Sequence, residues 1–121
     1  MGRSRTQADR HPLWVKVCDP KDLEFDVGVC ALVHGKQIAL FMTGDRAFHA
    51  VANRDPFSGT QSMSRGIVGS RGGAAFVAAP IGRQIFDLAT GQCESDPNVV
   101  LHPYPVRIVD GYVEVCVSLR A

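Results

Sequence analysis

From Leu13 onward, short apolar runs alternate with turn-forming residues roughly every eight to twelve positions, the spacing of an antiparallel sandwich or barrel. The runs predict nine short strands, over 13–17, 27–33, 37–42, 47–52, 67–68, 75–79, 85–88, 106–109 and 112–117. Three pairs read as hairpins. The first closes through His34-Gly35-Lys36 and the second through Thr43-Gly44-Asp45-Arg46. The third closes through Asp110-Gly111, a dipeptide suited to the positive φ angles of a type I′ turn. A short turn or single helical turn is expected at Asp19-Pro20, and Gly69 to Gly73 reads as a turn. No unbroken window carries a 3.6-residue apolar period, so long helices are not expected. The fold class is all-β.

Composition narrows the picture without changing it. The chain has 121 residues, 45% apolar and 21% charged, which fits one globular domain. Twelve glycines and seven prolines supply the turns and argue against a helical bundle. The formal charge of +1 gives no sign of a nucleic-acid partner, and no apolar run is long enough to span a bilayer. Residues 1–12 are polar and basic, with Arg3, Arg5 and Arg10, and read as a leader without structure of its own. Residues 13–121 form the domain. No signal-peptide core follows the leader, so a cytoplasmic location is expected.

Cysteine and histidine spacing offers little chemistry. Cys18, Cys30, Cys93 and Cys116 are far apart, and no C-x-x-C or C-x-H occurs. Cys30 and Cys116 sit in apolar stretches, where a thiol commonly serves as a small buried hydrophobe. Free thiols are expected. His11, His34, His49 and His102 are equally scattered and define no metal site. Gly69-Ser70-Arg71-Gly72-Gly73 lacks the lysine and the helix start of a phosphate-binding loop. Ser58, Ser62 and Ser64 lie outside any nucleophile motif. Asp55, Asp87, Asp96 and Asp110 fall in turns or at strand ends, where aspartate commonly accepts from nearby backbone.

Two segments are more specific. One runs Asn53-Arg54-Asp55-Pro56-Phe57-Ser58-Gly59, and the other runs from Ala79-Pro80 through Phe86-Asp87-Leu88-Ala89-Thr90-Gly91. Together they resemble the two cluster loops of Rieske domains, N-x-C-P-H-x-G and C-P-x-H-G-x-x-F-D-x-x-T-G. The frame is retained at Asn53, Pro56, Gly59, Pro80, Phe86, Asp87, Thr90 and Gly91. The ligands are not, because their positions hold Asp55, Phe57, Ala79 and Gly82. A Rieske centre needs two thiolates on one iron and two imidazoles on the other. No cluster is expected.

The wording as a whole is similar to the small subunits of assimilatory NAD(P)H-dependent nitrite reductases, over about residues 13–117. It includes Ser64-Arg65-Gly66-Ile67-Val68-Gly69, Cys93, Asp96-Pro97 and Tyr104-Pro105-Val106-Arg107. The resemblance implies a Rieske-like antiparallel sandwich or barrel, no cofactor, no metal and no catalytic residue in this chain. It implies a large catalytic subunit as partner, carrying FAD, an iron–sulfur cluster and sirohaem and reducing nitrite to ammonium in the cytoplasm. No nucleic acid or membrane is implied. Phe57, Ser58, Arg65 and Gln84 are the candidates for contact with that subunit. Phe57 is expected either to fill the space a ligand leaves or to protrude as an apolar anchor. Two other classes compete: an electron-transfer ferredoxin of an oxygenase, opposed by residues 55, 57, 79 and 82, and a free-standing binding module, for which no convergent polar pocket is visible.

Overall fold

The apolar run at 38–42 becomes the middle of the molecule. In the computed structural model, which describes residues 11–119, the strand β3 (Lys36–Met42) is buried from Ile38 to Met42 on both faces. A strand of period two buries alternate residues in opposite directions, so an unbroken apolar run requires a layer on each side. Ile38, Leu40 and Met42 enter one core with Leu23, Val33, Ala50, Val113, Val115 and Val117. Ala39 and Phe41 enter a second core with Val51, Met63, Val77, Phe86, Leu88 and Leu101.

Three antiparallel sheets supply the layers. The middle one orders β2 (Val29–Val33), β3, β4 (Phe48–Ala52) and β8 (Pro103–Tyr104) side by side. On one side lies the sheet of β1 (His11–Cys18), β10 (Tyr112–Leu119) and β9 (Val106–Val109), in the order β1-β10-β9. On the other lies the sheet of β5 (Ile67–Arg71), β6 (Ala74–Ala78) and β7 (Ile85–Asp87). Among the described residues the only helical pieces are two 3-10 turns, Pro20–Asp22 and Met63–Arg65. None is long and apolar enough to cross a membrane. Asp19 caps the first, its side chain accepting from the Lys21 amide at 2.9 Å.

The hairpins follow from turn chemistry. His34-Gly35, Gly72-Gly73 and Asp110-Gly111 each hold two consecutive positive φ angles (48° and 79°, 60° and 85°, 51° and 81°). That is the type I′ requirement, and it fixes the register of all three hairpins.

Several details differ from the expectations. There are ten strands rather than nine, the tenth being β8, two residues opened by a proline and too short to show periodicity. The strand expected from residue 27 begins at Val29. The turn expected over Gly69 to Gly73 shrinks to Gly72-Gly73, because β5 continues to Arg71. Gly69 belongs in the strand: a Cβ there would stand 2.6 Å from the Phe76 ring of the paired residue, so only glycine lets that ring lie across it. Cys30, expected to be buried, is exposed on the edge strand β2, while Cys93 is the buried thiol. Residues 1–10 of the expected leader lie outside the described residues, and His11 and Pro12 open β1 opposite Leu119 and Ser118.

Candidate functional site

Two loops leave the second core at the same end of the molecule, residues 53–62 after β4 and residues 79–84 after β6. Asn53 fixes the first. It is 2% exposed, and every polar atom it has is engaged. Its backbone N–H donates to the Gln37 carbonyl at 3.0 Å, and its carbonyl accepts from the Ser62 and Met63 amides, both at 2.9 Å. Its side-chain Nδ2 donates to Gln37 Oε1 at 3.2 Å and to Cys30 Sγ at 3.5 Å, while Oδ1 accepts from the Ser64 amide at 2.7 Å. One buried amide thus ties β2, β3 and the second 3-10 turn to the loop.

Asp55 closes the loop on itself. It is fully buried, and its Oδ1 accepts from the Phe57 amide at 2.9 Å. Its backbone exchanges bonds with Thr60 and Gly59, both at 2.8 Å. Its Oδ2 is buried with no hydrogen-bond partner. Phe57 is 46% exposed, and its ring centroid lies 6.2 Å from that of the buried Phe86. The ring therefore protrudes and leans on the core at once. Ser58, Thr60 and Ser62 line the loop's outer side with hydroxyl contacts of 2.8 Å.

The second loop is a tight reversal. The Ala79 amide donates to the Gln84 carbonyl at 2.8 Å, and Gly82 and Arg83 between them take φ of 76° and 57°. Ala79 is 2% exposed and packs in the second core. Gln84 accepts from the Ser95 hydroxyl at 3.0 Å, and Ile81 is 51% exposed. Beyond β7, Asp87 Oδ1 accepts from the Ala89 and Thr90 amides at 2.8 and 2.9 Å. Gly91 follows with φ of 78°, and a Cβ there would stand 1.8 Å from the Leu101 carbonyl oxygen. The Phe-Asp-x-x-Thr-Gly wording is thus a capped turn ending in a close backbone approach.

This frame does not fit an iron–sulfur cluster. Of the four ligand-equivalent residues only Asp55 has a donor atom, and one of its two oxygens is committed to the loop's own backbone. Ala79 and Gly82 present none, and Phe57 presents a hydrocarbon ring. The four cysteines are free thiols, none of them in either loop. Among the described residues no group of three or more His, Cys, Asp or Glu could hold a metal ion. Burial and the nearby charges of Asp22 and Asp19 push the Cys18 thiol up, which favours its neutral form.

Residues 13–116 match the family of Rieske-like [2Fe-2S] domains. The nitrite reductase (NADH) small subunit of Salmonella typhimurium is 36% identical over 104 residues, 84% of this chain and 95% of that protein. The chain belongs to the nitrite reductase small-subunit family. A Mycobacterium tuberculosis structure, solved as a candidate NADH-dependent nitrite reductase small subunit, is similar with a TM-score of 0.84 and 44% identity. The likeness covers 88% of this chain and 96% of that one. A segment of the nitrite reductase [NAD(P)H] large subunit of Klebsiella oxytoca is 34% identical over 103 residues, 84% of this chain and 11% of that protein. Within this family the fold is Rieske-like, and the donor set here is not.

The structure groups the residues singled out from sequence unevenly. Phe57 and Ser58 share the first loop, and Gln84 ends the second. Arg65 lies to one side, on a groove with Asp26, Val27 and Ile67. Sequence reasoning missed Leu32 and Ile67, each 74% exposed, and Ile81. The signal available for Ile81 was a large apolar residue set between Pro80 and Gly82 in a turn. Leu32 and Ile67 gave none, because an apolar residue in a strand looks the same whether it faces inward or outward.

Proposed function

We propose that this chain is the non-catalytic small subunit of an assimilatory NAD(P)H-dependent nitrite reductase. Its partner is a large subunit that carries FAD, an iron–sulfur cluster and sirohaem and reduces nitrite to ammonium in the cytoplasm. The observation that carries the reading is a Rieske-like frame whose donor positions hold Asp55, Phe57, Ala79 and Gly82, in a chain that aligns along its length with nitrite reductase small subunits. Such a chain has no electron carrier of its own, so its contribution is made through a surface. Phe57, Ser58, Arg65 and Gln84 are the proposed contacts. Phe57 offers an exposed ring with no polar atom to leave unsatisfied, and Arg65 offers a planar fork for a carboxylate or carbonyl.

The test is to purify the chain after expression with iron and sulfide available, then to mix it with the large subunit. A colourless protein with substoichiometric iron and acid-labile sulfide that co-elutes with the large subunit is the expected result. Two irons per chain, with the visible bands of a Rieske centre, would return the chain to the electron-transfer class.

A further inference from the structure

The register gathers exposed apolar side chains at the end of the molecule that bears the two loops. Leu32 pairs with Gln37, whose carbonyl and side chain hold Asn53 at the root of the first loop. Ile67 pairs with Ala78, the residue before the second loop, and follows by three positions Ser64, whose amide is held by Asn53. Phe57 and Ile81 sit on the loops themselves. Leu32, Ile67 and Ile81 are the three most exposed large apolar residues described, at 74%, 74% and 51%. Exposed apolar residues scattered singly need no explanation, but their concentration at one end does.

The exposed charge on the two loops and the strand ends beside them is positive. Across residues 30–35, 53–67 and 79–85 the exposed ionised side chains are Arg54, Arg65 and Arg83, and the only carboxylate is the buried Asp55. Arg65 shares its groove with Asp26. Of the carboxylates beside the second loop, Glu94 is paired with Arg71 and Asp96 accepts from the Asn98 amide, which leaves Arg54 and Arg83 as the cations carried by the loops. The whole chain carries only +1, which makes this end a local positive excess rather than a share of a basic protein. An apolar centre with an arginine rim is the composition of an interface anchor region.

We infer that this end docks on the large subunit at an apolar site rimmed by carboxylates. The inference rests on the pairing proposed above and adds to it the surface and the chemistry of its counterpart. Two observations choose the occupant. A second copy of the chain would bring like charges together across a two-fold axis, which opposes association. The Klebsiella oxytoca large subunit carries a segment of this kind within its own chain, so in that relative the domain is tethered to the catalytic body. A tethered module meets its site at high effective concentration and needs only a complementary surface.

The experiment measures binding of full-length chain to the large subunit at low and high salt. It compares wild type with Ile81→Ser, Ile67→Ser, Arg54→Glu and Arg83→Glu, and with Ile108→Ser on the outer sheet as control. Each end variant should weaken binding on the order of tenfold, the arginine variants should lose most of the salt dependence, and the control should bind as wild type. Amide exchange on the unmodified complex should show protection over 54–59 and 79–84, a readout that no folding defect can imitate. Wild-type affinity in every variant, with protection elsewhere, would overturn the surface while leaving the pairing intact. No binding by wild type would overturn the pairing and the surface together. Binding to anionic phospholipid vesicles in place of the subunit would overturn the inference in favour of a membrane surface.

Discussion

At the scale of single residues, the first loop depends on Asn53 rather than on the ligand positions. Its side chain makes three hydrogen bonds from a buried site, and truncation would leave the Ser64 amide without its partner, while the exposed Gln37 Oε1 keeps the Cys30 thiol and solvent. Asn53→Ala should cost about 1–3 kcal/mol in a denaturant melt, the range for leaving buried polar groups unpaired. His49 predicts a pH effect. Burial lowers its pKa below the ordinary 6.5, against the opposing pull of Asp45 and Asp87. The unfolded chain therefore binds this proton at higher pH than the folded one. Stability should be fully present above about pH 6.5 and fall as pH drops below it, and His49→Gln should flatten that slope in melts across the range. Asp45 adds in the same direction at lower pH: hydrogen bonds from Thr43 and Ala47 hold its carboxyl below the usual range.

At the scale of elements, turn glycines separate two physical costs. Gly111 has φ of 81° and open space where a Cβ would go, so Gly111→Ala isolates the backbone penalty, about 1 kcal/mol. Gly91 has nearly the same φ with the Leu101 carbonyl against it, so Gly91→Ala should cost several-fold more in the same denaturant series. The elements also show what sequence can disclose. Hairpin turns at His34-Gly35 and Asp110-Gly111 were legible because positive φ restricts residue choice. The doubly buried β3 was legible as an unbroken apolar run. β8 was not, because two residues carry no period. Cys30 and Leu32 were misjudged or passed over because an edge strand and a central strand have the same composition, and only pairing tells them apart. The residues at the ligand-equivalent positions could be read from the sequence directly, since a side chain without a donor atom cannot ligate whatever its geometry. The grouping of Ile67, Ile81 and Leu32 depends on register across separate sheets, and no local pattern encodes it.

At the scale of the whole molecule, three layers share one middle sheet, and the two loops stand at the end of the layer pair that holds the second core. A Rieske-like frame persists here without its donors because the frame is stabilised by its own contacts. Asn53 is satisfied by backbone and side chains, Asp55 Oδ1 by the Phe57 amide, and Ala79 by apolar packing. The loops are therefore folded surfaces in their own right, available for recognition. The reading that this surface serves a reductase, and that the chain brings no electrons, is tested most directly by reconstitution. Nitrite-dependent NAD(P)H oxidation by the large subunit should rise as iron-free chain is added and should level off at a fixed ratio of the two. No rise, or a rise seen only with iron-loaded chain, would contradict the account.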